Sequence, residues 1–199
     1  MIIGLIGGSG SGKSEVANVL KEDFGAHIIT ADKIGHDVIK RGTKSYERLV
    51  EFFGDDIIGY DREIDRTILG IKAFSSESNR AALNTMTRPY IGEEILRIIR
   101  EQKEMDENKV IVVDAEGLVE ANMTYFLDEV WSVYAPIEIR KRRLIENRGF
   151  TVEKIDSIIN NQSNEEYYKM NSCFQIVNDS TVDNIKKQIN NRWSFGGKQ

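Results

Sequence analysis

Short, almost unbroken apolar runs recur along the chain at 2–6, 27–30, 110–113, 130–134 and 174–177, and they are rich in Ile and Val. Strands of a parallel sheet covered on both faces have no solvent side to carry polar residues, so these runs predict such strands. Between them the apolar period lengthens to that of a helix. In 15–24, Val16, Val19, Leu20 and Phe24 fall along one face. Further helices are predicted over 34–40, 45–53, 80–99, 137–147, 152–161 and 182–190. Strand and helix alternate, which places the chain in the α/β class with right-handed crossovers.

Two regions interrupt the alternation. Residues 33–108 hold no convincing strand, only helical pieces and turns such as Phe53-Gly54-Asp55-Asp56. That is too long for one crossover helix and reads as a helical insertion. The second region, polar and charged, is bracketed by two strands. Within it Asn147-Arg148-Gly149-Phe150-Thr151 reads as a helix stop followed by an N-cap at Thr151. One domain results, with a helical insertion at 33–108 and a helical hairpin within 140–171.

Composition narrows the classes. A length of 199 residues suits one α/β domain. A formal net charge of −5 argues against a broad nucleic-acid face. No apolar run reaches bilayer length, and Met1-Ile2-Ile3-Gly4-Leu5-Ile6 is too short for a secretory signal and lacks basic residues before it. The expectation is a cytoplasmic protein without membrane or nucleic-acid partners, a monomer or a small homo-oligomer. Cys173 is the single cysteine, which rules out an internal disulfide and a cysteine-based zinc site; it reads as a small, semi-buried residue. His27 and His36 have no metal-like spacing and read as structural, and Trp131 and Trp193 as packing.

The chemistry concentrates at Gly7-Gly8-Ser9-Gly10-Ser11-Gly12-Lys13-Ser14, which fits G-x-x-x-x-G-K-[ST] between a strand and an amphipathic helix. Glycines let consecutive backbone N–H groups curl around a phosphate without obstruction by a Cβ. The helix that follows adds its free N–H groups and the positive end of its dipole. Lys13 can reach the β- and γ-phosphates, and the Ser14 hydroxyl can ligate Mg²⁺. The dinucleotide pattern G-x-G-x-x-G fails here, since Lys13 stands where its third glycine is required.

Other candidates gain weight from that loop. Asp32 follows the second strand, where it can accept a proton from an attacking hydroxyl or hold Mg²⁺ through water; it also suits an N-cap of the next helix. Asp114 ends the run at 110–113, the position of a carboxylate that approaches Mg²⁺. Arg140, Lys141, Arg142, Arg143 and Arg148 form a basic cluster. Some of it suits a solvated helix face, but phosphoryl transfer needs positive charge around the moving group, so one or two of these arginines are expected to reach it. Arg88 and Lys72 are further candidates for an acceptor's phosphates.

In order along the chain, these residues resemble the dephospho-coenzyme A kinase family. The resemblance rests on Ile3 through Ser14; on Thr30-Ala31-Asp32-Lys33-Ile34-Gly35-His36; on Phe53-Gly54 and Ile64-Asp65-Arg66-Thr67-Ile68-Leu69; and on Arg88-Pro89-Tyr90-Ile91. Val133-Tyr134-Ala135-Pro136, Arg143-Leu144, Gln162 and Ile176-Val177-Asn178 continue it. It implies a P-loop kinase fold, a parallel five-stranded sheet flanked by helices, with its core at 1–32, 109–137 and 173–199, a helical acceptor-binding insertion at 33–108 and a lid at 138–172. It implies ATP and Mg²⁺, with dephospho-CoA phosphorylated on its ribose 3′-hydroxyl. Asp32 matches the family's base, Lys13 its phosphate-binding lysine, and Arg143 its lid-side arginine. Gly8, Ser9, Gly10, Ser11, Gly12, Lys13, Ser14 and Asn178 fall on the nucleotide side; Asp32, Arg88, Asp114 and Glu116 fall on the acceptor side; Ser14 and Asp114 fall to the metal.

The chain departs from the family on the acceptor side. The segment Asp114-Ala115-Glu116-Gly117-Leu118-Val119-Glu120 keeps Asp114, Leu118 and Glu120 but lacks the family's proline, first leucine and aromatic residue. Arg88 replaces a histidine. The lid arginine falls at Asn147, with Arg148 adjacent. Two other readings therefore stay open: a kinase of another small acceptor, such as a nucleoside or deoxynucleoside monophosphate, and a P-loop nucleotide-binding regulatory protein.

Overall fold

The computed structural model describes residues 1–115, 117–119 and 121–196; Glu116 and Glu120, both singled out above, lie outside the described residues. The five apolar runs form strands β1 (Ile2–Ile6), β2 (His27–Thr30), β3 (Ile111–Asp114), β4 (Glu129–Tyr134) and β5 (Phe174–Val177) of one sheet. Their order is β2-β3-β1-β4-β5, with β1–β3, β1–β4 and β4–β5 parallel. The strands lack polar faces because both sides are covered: Ile3, Leu5, Val112 and Trp131 are fully buried.

The helices are α1 (Lys13–Phe24), α2 (Ala31–Asp37), α3 (Lys44–Phe53), α4 (Arg66–Ala73), α5 (Glu77–Met105), α6 (Ile137–Arg148), α7 (Val152–Asn160), α8 (Glu165–Met170) and α9 (Val182–Gly196). The chain divides into two compact units, Met1–Ile29 with Gln102–Gln199, and Thr30–Glu101, the boundary falling near the end of α5. In the first, α1 presents Val16, Ala17, Val19 and Leu20 to β1, β3 and β4, and Ile185 and Ile189 of α9 join the same cluster. Phe24 stacks on Trp193 at 4.6 Å, and Trp193 meets the edge of Trp131 at 5.9 Å. In the second, Leu49, Phe53, Ile57, Ile64, Leu69 and Ala73 make a separate core. Lys72 holds the turn after α3, donating to the Phe53 carbonyl at 2.6 Å and to Asp56 at 2.5 Å.

Caps explain several boundaries. Thr151 accepts from the Lys154 amide at 3.4 Å as the sequence predicts. Asp65, inside a family-like motif, caps α4 by accepting from the Thr67 and Ile68 amides at 2.8 and 3.1 Å. Asn164 caps α8 by accepting from the Tyr167 amide at 2.8 Å.

Three expectations are corrected. Asp32 is not an N-cap: α2 starts directly after β2, with Thr30 as its cap and Asp32 already in the first turn. Cys173 is exposed, not semi-buried: its amide joins the sheet through the Val130 carbonyl at 2.9 Å, one residue before β5, and its side chain turns outward. The helix expected at 80–99 runs from Glu77 to Met105 with Pro89 inside it. No described helix is long and apolar enough to cross a membrane.

Burial, and secondly the charge of Lys109, hold the His27 imidazole below its ordinary pKa of 6.5. The unfolded chain therefore binds more protons at this site than the folded one, and stability falls as pH drops below about 6.5. His27→Gln should flatten the pH dependence of urea midpoints between about pH 7 and 5; an unchanged slope would assign it to other groups.

Candidate active site

β1 is flanked by β3 and β4, so the chain leaving Ile6 opens at the point where strand order reverses, the place where open α/β sheets bind ligands. The glycine loop fills that point and runs into α1, whose N-cap is Gly12. The loop bends back on itself through the Ser11 amide, which donates to the Gly8 carbonyl at 3.1 Å. Lys13 crosses its mouth, with Nζ 2.6 Å from the Gly7 carbonyl. Ser14 is exposed in the first turn of α1.

The need for glycine is clear at Gly10 and Gly12. Gly10 has φ +80° and Gly12 φ +94°, the left-handed region that other residues rarely adopt. Space enforces the same choice: a Cβ on Gly10 would lie 2.7 Å from the Arg140 carbonyl, and one on Gly12 2.0 Å from Asn178 Nδ2. The outer wall of the loop is thus packed against protein. The hydrogen bonds of α1 begin with the Glu15 and Val16 amides, which donate to the Gly12 carbonyl at 3.0 and 3.2 Å. The Lys13 and Ser14 amides ahead of them lie before the first helical acceptor, and with the Lys13 ammonium and the Ser14 hydroxyl they form a donor set that fits a polyphosphate with its divalent cation.

Three structural elements supply the outer wall. From α6, Arg140 Nε donates to the Ser9 carbonyl at 2.9 Å and Nη2 donates to Gln162 Oε1 at 3.0 Å. Arg143, also on α6, donates through Nη1 to the carbonyls of Ser11 and Asn178 at 3.3 and 3.1 Å, and through Nη2 to Asn178 Oδ1 at 3.0 Å. The connection between α7 and α8 brings Gln162, whose Oε1 accepts from the Ser9 amide at 3.0 Å while Nε2 donates to Ser9 Oγ at 2.7 Å. Asn178, just past β5, is buried, and its Nδ2 donates to the Ser11 carbonyl and to Glu15 Oε2, both at 3.0 Å. Lys141 pairs with Asp156 at 2.8 Å and ties α6 to α7; that carboxylate raises the Lys141 pKa above its usual range.

The basic cluster therefore divides. Arg140 and Arg143 turn inward, Lys141 braces the hairpin, and Arg142 and Arg148 are exposed, Arg148 as the last residue of α6. Asn178, expected on the nucleotide side, packs under the loop. Asp114 ends β3 opposite Leu5 of β1, next to the strand that feeds the loop. Asp32 and Arg88 belong to the second unit; Asp32 is exposed, and Arg88 is half-buried on α5 immediately before Pro89. Sequence reasoning missed Glu15 as a partner of Asn178 and Gln162 as a partner of Ser9. Both bonds span more than 150 positions, 163 and 153 respectively, so no local pattern could have announced them.

Fold and loop together define a P-loop kinase. The chain belongs to the dephospho-CoA kinase family, whose model matches residues 1–184. It is similar to the dephospho-CoA kinase of Carboxydothermus hydrogenoformans, with 36% identity over 190 residues covering 94% of this chain and 90% of the relative. A Corynebacterium glutamicum dephospho-CoA kinase is 37% identical over 183 residues, covering 92% of this chain and 90% of the relative. Among solved structures, a Thermus thermophilus protein superposes with TM-score 0.81 at 22% identity, covering 98% of this chain and 97% of the other. The dephospho-CoA kinase from Campylobacter jejuni superposes with TM-score 0.71 at 22% identity, covering 99% and 97%. These two similarities show the fold alone.

If Asn178 holds the loop, Asn178→Ala leaves Glu15 without that partner and the Ser11 carbonyl with one donor fewer. A loss of about 1–3 kcal/mol is expected in urea denaturation, the cost of unpaired buried groups. An unchanged midpoint would show that the loop does not depend on Asn178.

Proposed function

We propose that the protein transfers the γ-phosphoryl group of ATP to the ribose 3′-hydroxyl of dephospho-CoA, giving CoA. The observation that carries this reading is the family match over residues 1–184. A P-loop whose amides, lysine and serine suit a polyphosphate supports it. Gly8, Ser9, Gly10, Ser11 and Gly12 form the cradle, and Lys13 reaches the β- and γ-phosphates. Ser14 and Asp114 hold Mg²⁺, which when bound neutralises charge on the phosphates. Asp32 orients the acceptor hydroxyl and takes its proton as the bond to phosphorus forms. Arg143 and Arg148 supply positive charge on the lid side, and the family resemblance assigns Arg88, Asp114 and Glu116 to acceptor binding. In this reading residues 33–108 bind the acceptor and 138–172 form the lid. The enzyme acts in the cytoplasm on a small molecule, as a monomer or small homo-oligomer, without a membrane or nucleic-acid partner.

The changed acceptor segment at Asp114–Glu120 makes the acceptor the point to test. Purified protein with ATP and Mg²⁺ is expected to phosphorylate dephospho-CoA and to leave deoxynucleoside monophosphates unchanged. Transfer to the monophosphates alone would overturn the assignment, and ATP turnover without any acceptor product would favour a regulatory protein. Asp32→Asn is expected to lower kcat roughly 100-fold or more with little change in ATP KM, the range for loss of a general base. Full turnover in that variant would remove Asp32 from the mechanism.

A further inference from the structure

The two inward-facing arginines of α6 are in the wrong place for a simple phosphate contact, because their hydrogen bonds go to the back of the loop. Arg140 Nε donates to the Ser9 carbonyl at 2.9 Å. Arg143 Nη1, with Asn178 Nδ2, donates to the Ser11 carbonyl at 3.3 and 3.0 Å. In a trans peptide the C=O and the following N–H point in opposite directions across one rigid plane. A donor that fixes the Ser9 carbonyl outward therefore fixes the Gly10 N–H inward. A donor that fixes the Ser11 carbonyl outward does the same for the Gly12 N–H.

This matters because Gly10 and Gly12 are the residues least able to hold their own peptide planes. Each sits at positive φ and has no side chain to restrict it. A free glycine loop would sample many plane orientations and lose that freedom on binding, at a cost in affinity. The surroundings also fix the guanidinium groups. Arg140 Nη2 is anchored on Gln162 Oε1 while Nε takes the carbonyl, and Arg143 grips Asn178 through both its carbonyl and Oδ1. These forked arrangements need the planar guanidinium; the single nitrogen of a lysine cannot reproduce them.

We propose that Arg140 and Arg143 are positioning residues that act through the loop backbone, Arg140 setting the Gly10 N–H and Arg143 setting the Gly12 N–H toward the phosphates. The proposal deepens the reading of the loop as a polyphosphate cradle and rests on it. It separates two roles for the same arginines. A direct phosphate contact would depend mainly on charge and would affect the loop amides together. A carbonyl clamp depends on guanidinium shape and affects one amide at a time.

The test uses the ¹⁵N-labelled full chain with ADP as probe. In the wild-type protein, saturating ADP is expected to move both the Gly10 and Gly12 amide protons downfield, as hydrogen bonds to phosphate form. Arg140→Lys keeps the charge and should abolish most of the Gly10 shift while leaving that of Gly12. Arg143→Lys should do the reverse. Each should weaken ADP about tenfold, the scale of one misdirected hydrogen bond to a charged group. Should either lysine variant be poorly folded, Arg140→Gln and Arg143→Gln carry the same comparison, with a native spectrum away from the loop as the control. Retention of both shifts, or equal loss of both in each variant, overturns the clamp. Absence of both shifts in the wild type overturns the cradle reading itself, and the clamp with it.

Discussion

A glycine-rich turn carries too few side chains to hold its own shape, so in this protein the shape is imposed from behind. Arg140 on the Ser9 carbonyl, and Arg143 with Asn178 on the Ser11 carbonyl, are the contacts that turn a permissive backbone into a fixed one. The rest of the first unit is arranged to deliver those contacts. Parallel pairing of β4 with β5 carries the chain to Asn178, whose amide donates to the Tyr134 carbonyl at 2.7 Å. Pro136 then starts α6 within reach of the loop, and Lys141 pins α6 to α7. The connection that follows α7 presents Gln162 to Ser9.

The same arrangement shows how a chain with net charge −5 creates a local site for anions. The charges of α6 are not spread evenly over solvent. Two guanidinium groups are drawn behind the loop, where they leave their positive field at the cradle without filling it. Lys13 and the dipole of α1 add to that field. The glycines serve the packing as much as the ligand, because Asn178 and the backbone of α6 occupy the space where a Cβ would stand.

The strands were legible because their signal is local. Each apolar run is short and contains Ile or Val, and the observed strands match the predicted runs within a residue or so. The helices were legible in their interiors and less so at their ends. Pro89 was read through correctly, yet α5 extends several residues beyond the expected helix at both ends, where polar residues give no period. The short helices α4 and α8, of eight and six residues, went unrecognised because about two turns or fewer show no clear period; Asp65 and Asn164 cap them. Cys173 misled because a small sulfur residue before a strand reads as core, while the pleat turned it outward.

The sequence by itself determined the α/β alternation, the cradle from Gly7 to Ser14 and the family to which the chain belongs, because each depends on neighbouring residues or on motifs in a fixed order. Tertiary structure decided what the arginines do. Nothing in Arg140-Lys141-Arg142-Arg143 says which guanidinium turns inward. That choice is made by the rotation of α6 against a loop 131 positions earlier, where a peptide carbonyl must find a donor. Asn178 was chosen in the same way: its place at the end of β5 follows from strand pairing, and burial then commits its amide to the backbone of the loop.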